Sequence, residues 1–136
     1  MHARTALAFL AAACLALTGC SNSDTNDETK PSTSPTQDPG DAFVASVIDA
    51  HLDSYAAGVP AADELKAFPP QWCTSLDSGH SVAWMFDLQQ GNQYPIGQTW
   101  GTKKADAYEV LLLGVKTHCP KHRDAVLEEL RATGEY

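Results

Sequence analysis

The chain has 136 residues, with seventeen Asp and Glu against nine Lys and Arg, a formal net charge of −8 at neutral pH, and four cysteines. A DNA or RNA binder needs a basic stripe to neutralise phosphates, whereas the few cations here are scattered among acids; this excludes nucleic acid as a partner and disfavours charge-driven docking on anionic lipid. Once the unusual N-terminal segments are set aside, enough chain is left for one small domain.

The first segment carries one basic residue, Arg4, and then an unbroken apolar run over positions 6 to 17. Such a run is too short to span a bilayer and has the length of a signal-peptide core. It closes in Leu17-Thr18-Gly19-Cys20, which resembles the lipobox of bacterial lipoproteins, where the cysteine sulfur takes a diacylglyceryl group and becomes the mature N-terminus. Residues 1–19 are therefore expected to be a lipoprotein signal peptide and Cys20 the lipidation site, which places the protein outside the cytoplasm, anchored to the cell membrane. Two acyl chains suffice for stable anchoring where one does not. From position 21 to Gly40 the chain is almost wholly Ser, Thr, Asn, Asp, Pro and Gln, with a single Glu28 and a single Lys30 and no large apolar residue. It cannot bury enough surface to offset its ordering entropy, so residues 20–40 read as a lipidated cysteine on a disordered tether. Twenty residues of this composition span roughly 25 Å on average and about 65 Å when extended.

Residues 41–136 carry periodic apolar sequence with thirteen acidic and seven basic residues. Val44, Val47, Ile48, His51 or Leu52, and Tyr55 follow the three-and-four spacing of one helical face, with Asp41 as the cap and Gly58 and Pro60 as the stop. Positions 61 to 68 form a short helical candidate that Pro69-Pro70 breaks. Pro70 suits the start of a helix over 71–78 that turns Trp72, Cys73 and Leu76 inward and ends at a left-handed Gly79. Ser81 stands where a cap belongs, ahead of Val82, Met85, Phe86 and Leu88, with Gly91 closing that segment. Positions 91 to 101 read as a loop, with Tyr94, Ile96 and Trp100 folded back as a lid. Thr102 is placed to cap a helix through Tyr108, Leu111 and Val115 to His118, and Pro120 restarts the chain for a last helix carrying Val126, Leu127 and Leu130, stopped by Gly134. No strand pattern or internal repeat is present.

With Cys14 lost in the signal and Cys20 acylated, Cys73 and Cys119 are the remaining thiols of a domain facing an oxidising compartment, and a disulfide is their natural reading. On paper His118, Cys119 and His122 with Cys73 also make a zinc set, but one that uses the same two sulfurs. Gly79-His80-Ser81-Val82-Ala83 has the outline of a hydrolase nucleophile elbow. An elbow needs a preceding strand, and Ser81 follows a helix, so the serine is expected to be a cap. Asp49 with Asp53, and Asp124 with Glu128, lie one turn apart and read as solvated faces rather than acid–base pairs. The aromatics Trp72, Trp84, Phe86, Tyr94 and Trp100 are the last candidates. Trp72 and Phe86 belong to the core, while Trp84, Tyr94 and Trp100 are the candidate binding surface.

The run from Trp72 to Val82 with its Cys-x-x-Leu-x-x-Gly-x-Ser-Val pattern, the later Ala105, Tyr108 and Gly114-Val115, the close in His118-Cys119-Pro120, and the earlier Phe43-Val44 and Gly58-Val59 resemble the domain-of-unknown-function family numbered 732, of secreted and lipid-anchored actinobacterial proteins. His118 replaces the family's usual Tyr, Gly114 replaces a frequent Ala, the spacing from Phe43 to Gly58 is about two turns longer, and the helix after Pro120 is an extension. The resemblance implies a small helical domain with Cys73 paired to Cys119, and it brings no activity. The expectation is thus an all-α bundle of four to five short helices closed by one disulfide. Its expected role is a non-catalytic binding or interaction module of the cell envelope, with no cofactor and no metal, whose partner is an envelope protein or a small apolar ligand. The alternative is a metal-binding or enzymatic lipoprotein using His80, His118 and His122.

Overall fold

A computed structural model describes residues 37–96, 102–134 and 136, and among them it contains helices and turns and no strand. The expected signal peptide, Cys20, nearly all of the tether, and Trp100 lie outside the described residues. The elements are α1 (Pro39–Asp49), a 3-10 turn (Asp53–Tyr55), α2 (Ala62–Lys66), α3 (Phe68–Asp77), α4 (Val82–Phe86), α5 (Lys104–His118), a second 3-10 turn (Pro120–His122) and α6 (Arg123–Ala132). The architecture is the all-α bundle expected, closed by a Cys73–Cys119 disulfide that joins the middle of α3 to the C-cap of α5.

α5 is the central element, packed by α1, α3 and α6. Its burial runs from Ala107 and Tyr108 through Val110, Leu111 and Leu112 to Gly114 and Val115, on more than one face, because neighbours cover it on several sides. Phe43 and Val47 of α1, Leu65 of α2, Trp72 of α3, Met85 of α4 and Val126 and Leu130 of α6 complete the core. α3 comes so close to α5 that a Cβ on Gly114 would stand 2.7 Å from the Trp72 ring and 3.1 Å from Pro69.

Several boundaries differ from the expected ones, each for a local reason. α1 starts at Pro39, capped by Asp38, whose carboxylate accepts from the amides of Gly40 (2.9 Å) and Asp41 (3.2 Å); proline fits a first turn, where no N–H is required. Asp41, expected as the cap, instead pairs with Lys66 of α2. α1 also ends early, at Asp49, where His51 takes a left-handed φ of 49°. The chain leaves the helix because Ser54 is held elsewhere. Its amide donates to Asp106 at 2.8 Å, its hydroxyl contacts the same carboxylate oxygen, and that hydroxyl oxygen accepts from the Lys103 amide at 2.8 Å. Ser54 thus caps α5 from a distant part of the chain, the role assigned above to Thr102. The N-cap position itself is Lys103, and its side chain makes no capping bond.

α3 begins at Phe68 rather than after the prolines. Pro69 and Pro70 occupy its first turn, where their missing N–H groups cost nothing, while their rings bar continuity with α2. The helix ends as expected at Gly79 (φ 81°), with Gly79 N–H donating to Leu76 O and His80 N–H to Ser75 O, both at 3.0 Å, a Schellman closure. α4 is shorter than expected. It stops at Phe86, since Asp87 is extended and accepts backbone bonds from Gln90 and Asn92 in a tight turn.

Candidate functional site

α4 has five residues and is held by others. The Ser81 hydroxyl accepts from Trp84 N–H at 3.1 Å, the helix cap that the sequence indicated. From α6, Glu129 Oε1 accepts from Val82 N–H (2.8 Å) and Ala83 N–H (3.3 Å), so a carboxylate compensates the positive end of the short helix. With its N-terminus fixed in this way, Val82, Met85 and Phe86 face the core and Ala83 faces solvent.

After Asp87 the chain doubles back. Gln93 N–H donates to Met85 O at 2.7 Å, and the Gln93 carbonyl accepts from the Trp72 indole at 2.9 Å. The return lays Tyr94 on Phe86, with ring centroids 5.0 Å apart, and Phe86 stacks in turn on Tyr108 of α5 at 5.9 Å with planes 11° apart. Such offset arrangements are favourable beyond the area they bury. These three rings, with Val82, Ala83, Asp87, Thr102, Lys104 and Thr133, line a groove of about 620 Å³. Lys104 and Tyr108 are one helical turn apart, and the Lys104 ammonium lies 5.7 Å from the Tyr108 ring centroid, within cation–π range. Across the groove, the Asp87 carboxylate accepts from the Gln89 amide at 2.8 Å.

Burial raises the Tyr94 hydroxyl above its ordinary pKa; the neighbouring Lys104 opposes this and Asp106 adds to it. That hydroxyl donates to the Thr102 carbonyl at 3.1 Å. Deeper still, Tyr55 is pushed up to about 12, chiefly by burial, with Asp106 and Tyr94 adding and the nearby Thr102 hydroxyl opposing. Tyr55 Oη and Thr102 Oγ1 are both buried, and neither has a partner of hydrogen-bond geometry.

A folded-state pKa above the unfolded value near 10 means that the unfolded chain loses its tyrosine proton first. Tyr55 therefore contributes stability that is complete below pH 10 and is lost as pH climbs toward 12. Tyr136, raised to about 12 mainly by burial and by its bond to Glu109, acts in the same window, weakened by its exposure. Tyr55→Phe is expected to cost under about 1 kcal/mol at neutral pH, because the lost hydroxyl had no partner. It should also flatten part of the loss of stability between pH 10 and 12. Urea midpoints across that range measure both effects.

The candidate residues fall into three environments. Tyr94 is 9% exposed and presents only part of its ring to the groove. Ile96, expected in a lid, is 5% exposed and belongs to the core. Trp84 is half-buried on the outer side of α4, its ring stacked on His80 with centroids 3.6 Å apart and planes 9° apart. The histidines of the alternative reading do not converge. His80 lies on Trp84, His118 meets the Thr117 hydroxyl (2.9 Å) and the Phe43 ring, and His122 Nε2 contacts Asp77 at 2.7 Å. Asp77 is engaged further by Lys121, and the hydrogen bonds from Lys121 and then His122 hold its carboxyl below the usual range. Among the described residues no three His, Cys, Asp or Glu side chains are grouped to hold a metal ion. The two sulfurs of the zinc set form the disulfide.

Phe86, Tyr108 and Thr102 read as core, helix face and cap in the sequence, and Lys104 carried no reading, yet the four line the groove together. The one local signal was the Lys104–Tyr108 spacing. Asp49, Asp124 and Glu128 are exposed, and Asp53 pairs with Lys103 at 3.0 Å, so these acids are solvated faces. None of the described helices is long and apolar enough to cross a membrane. Fold and groove together define a small disulfide-closed helical module with an aromatic-walled cleft. No family model, curated protein or solved structure matches the chain.

Proposed function

We propose that the protein is an extracytoplasmic lipoprotein of the type its Cys73-to-Cys119 motifs resemble, the family numbered 732, and that its helical domain is a non-catalytic binding module of the cell envelope. The groove between α4 and α5 is its working surface. The observation that carries this reading is the groove itself: three stacked or tilted aromatic rings, with Thr102 and Lys104 beside them, lining a volume of about 620 Å³. Such a cleft has the size and mixed lining of ligand sites. The Cys20 anchor and the tether would hold the groove clear of the lipid headgroups, within reach of an envelope protein or a small apolar ligand. The enzymatic or metal-carrying alternative lacks support from geometry, since His80, His118 and His122 each face a different neighbour.

A photo-reactive phenylalanine analogue at Ala83, on the groove, and another at Glu128, exposed on α6, test this on intact cells. The expected result is a discrete adduct from position 83 and none from 128. Equal labelling from the two positions, or none from either, would count against the groove.

A further inference from the structure

We propose that a hollow at the C-terminal end of α1 binds a short basic and aliphatic segment of a partner protein: an aliphatic side chain seated between Ile48 and Val59, flanked by Lys or Arg side chains that meet the acids on the rim. This hollow shares no lining residue with the α4–α5 groove and is a second surface, independent of it.

The hollow follows from the early end of α1. By periodicity Ile48 belongs with Val44 and Val47 on the inward face of a longer helix. The helix stops at Asp49, and the next turn is pinned against α5, because the Ser54 amide donates to Asp106 and the Ser54 hydroxyl oxygen accepts from the Lys103 amide. Ile48 is thereby left 48% exposed and Val59 42% exposed, two of the four large apolar side chains that stand exposed among the described residues. With Val47, Leu52, Tyr55 and Ala56 they line one hollow of about 340 Å³. Val47 and Tyr55 are buried in the core, so the floor is fixed before anything binds. Exposed aliphatic groups gathered in a concavity, rather than scattered, mark a contact surface.

Charge names the occupant. Positions 38 to 66 carry Asp38, Asp41, Asp49, Asp53, Asp63 and Glu64 against Lys66 as the one Lys or Arg. Asp41 is paired with Lys66, and Asp53, which lines the hollow, with Lys103. That second pair is exposed and therefore weak. Asp49, beside Ile48, and Asp63 and Glu64, in the first turn of α2 just after Val59, are exposed and pair with no cation among the described residues. An aliphatic body fits the floor and a positive flank fits the rim. A second copy of this chain does not fit. A stable dimer buries about 800 Å² on each partner, more than two half-exposed side chains supply, and like acidic rims repel each other across a two-fold axis. The same rim repels anionic lipid.

The test uses the full chain in nanodiscs of zwitterionic lipid and two capped, dye-labelled peptides, a Leu-Ile-Leu core flanked by lysine pairs and the same core flanked by glutamate pairs. Binding is read by fluorescence anisotropy, with empty nanodiscs subtracted. The lysine peptide should bind about tenfold more tightly than the glutamate peptide and lose affinity as salt is raised. Ile48→Ser and Val59→Ser, at positions exposed enough to leave the melting temperature nearly unchanged, should each weaken it about tenfold, and Asp49→Asn about two- to fivefold. Leu88→Ser and Glu128→Gln, which remove an exposed aliphatic group and an exposed charge elsewhere, should leave it unchanged. Equal affinity for the two peptides, or binding of neither, overturns the proposal. So does binding that survives both Ile48→Ser and Val59→Ser, or that falls equally with Leu88→Ser and Glu128→Gln, since the attraction is then to net charge or apolar surface at large. None of these outcomes bears on labelling from position 83, so the hollow and the α4–α5 groove stand or fall separately.

Discussion

Replacing Cys73 and Cys119 together by alanine is expected to destabilise the domain by about 4 kcal/mol, the chain-entropy value for the 46-residue separation that the bridge closes. For a domain of this size that corresponds to a fall in melting temperature of roughly 20 °C. The effect is large because the domain is small. It buries a limited apolar area, and the bridge ties the middle of α3 to the end of α5, the two elements that meet at Trp72 and Gly114. On the same side, Asp77 of α3 is engaged by Lys121 and His122 from the turn after Cys119, but these are exposed contacts that do not replace a covalent link. Thermal and urea melts of the double variant against the parent give the number. A loss below about 1 kcal/mol would mean that the helix packing alone fixes α3 on α5.

The second large effect is expected at Trp72. It is fully buried, edge-on to Phe43 (6.3 Å) and stacked on Phe68 (5.5 Å), and its indole N–H is satisfied by the Gln93 carbonyl. Trp72→Ala should cost about 3–5 kcal/mol through the cavity it leaves. It should also release the loop that brings Tyr94 to the groove, because the indole holds the Gln93 carbonyl. Gly114→Ala attacks the same contact from the other side. The added methyl would sit 2.7 Å from the Trp72 ring, inside any normal contact distance, so α3 and α5 must move apart at a cost of about 1–3 kcal/mol. The two sites share one space and should not behave additively. In a Trp72→Leu background, where the ring is gone, Gly114→Ala should cost much less than in the parent, and a double-mutant cycle by urea unfolding measures the coupling. Full additivity would show that the close approach at Gly114 is not what limits this interface.

Residues whose fate is set by local chemistry were legible in the sequence. Gly79 ends α3 in the left-handed region, Ser81 caps α4, Pro120 restarts the chain, and Trp72, Met85 and Val126 fall inward by periodicity. The all-α bundle and its disulfide follow from such signals together with cysteine arithmetic. The misplaced features involve a partner far along the chain. Thr102 is a good capping residue by type, but Ser54, about fifty residues earlier, reaches the α5 terminus instead, and in doing so it draws the chain out of α1 before Tyr55. Asp41 is likewise a sound cap by type, displaced because Asp38-Pro39 starts the helix sooner and Lys66 takes the Asp41 carboxylate.

The groove was legible only in part. Tyr94 was singled out as an aromatic in a polar loop, but its neighbours Phe86 and Tyr108 had read as core, which they also are. A cleft arises where three core rings end at a surface, and that depends on the Asp87 turn folding Gln93 back onto Met85. Periodicity cannot report a return of that kind. Nor could it report that a threonine hydroxyl would be buried without a partner.

The proposal that this domain serves as a tethered module outside the cell depends most directly on Cys20. Intact cells fed an alkyne-tagged fatty acid, followed by peptide mass analysis of the recovered protein, read that atom. The account predicts that the mature chain begins at Cys20, carries label on that residue and fractionates with the membrane, and that Cys20→Ser removes the label and leaves the leader uncleaved. A chain that keeps residues 1–19, takes no label and is recovered from the cytosol would contradict it.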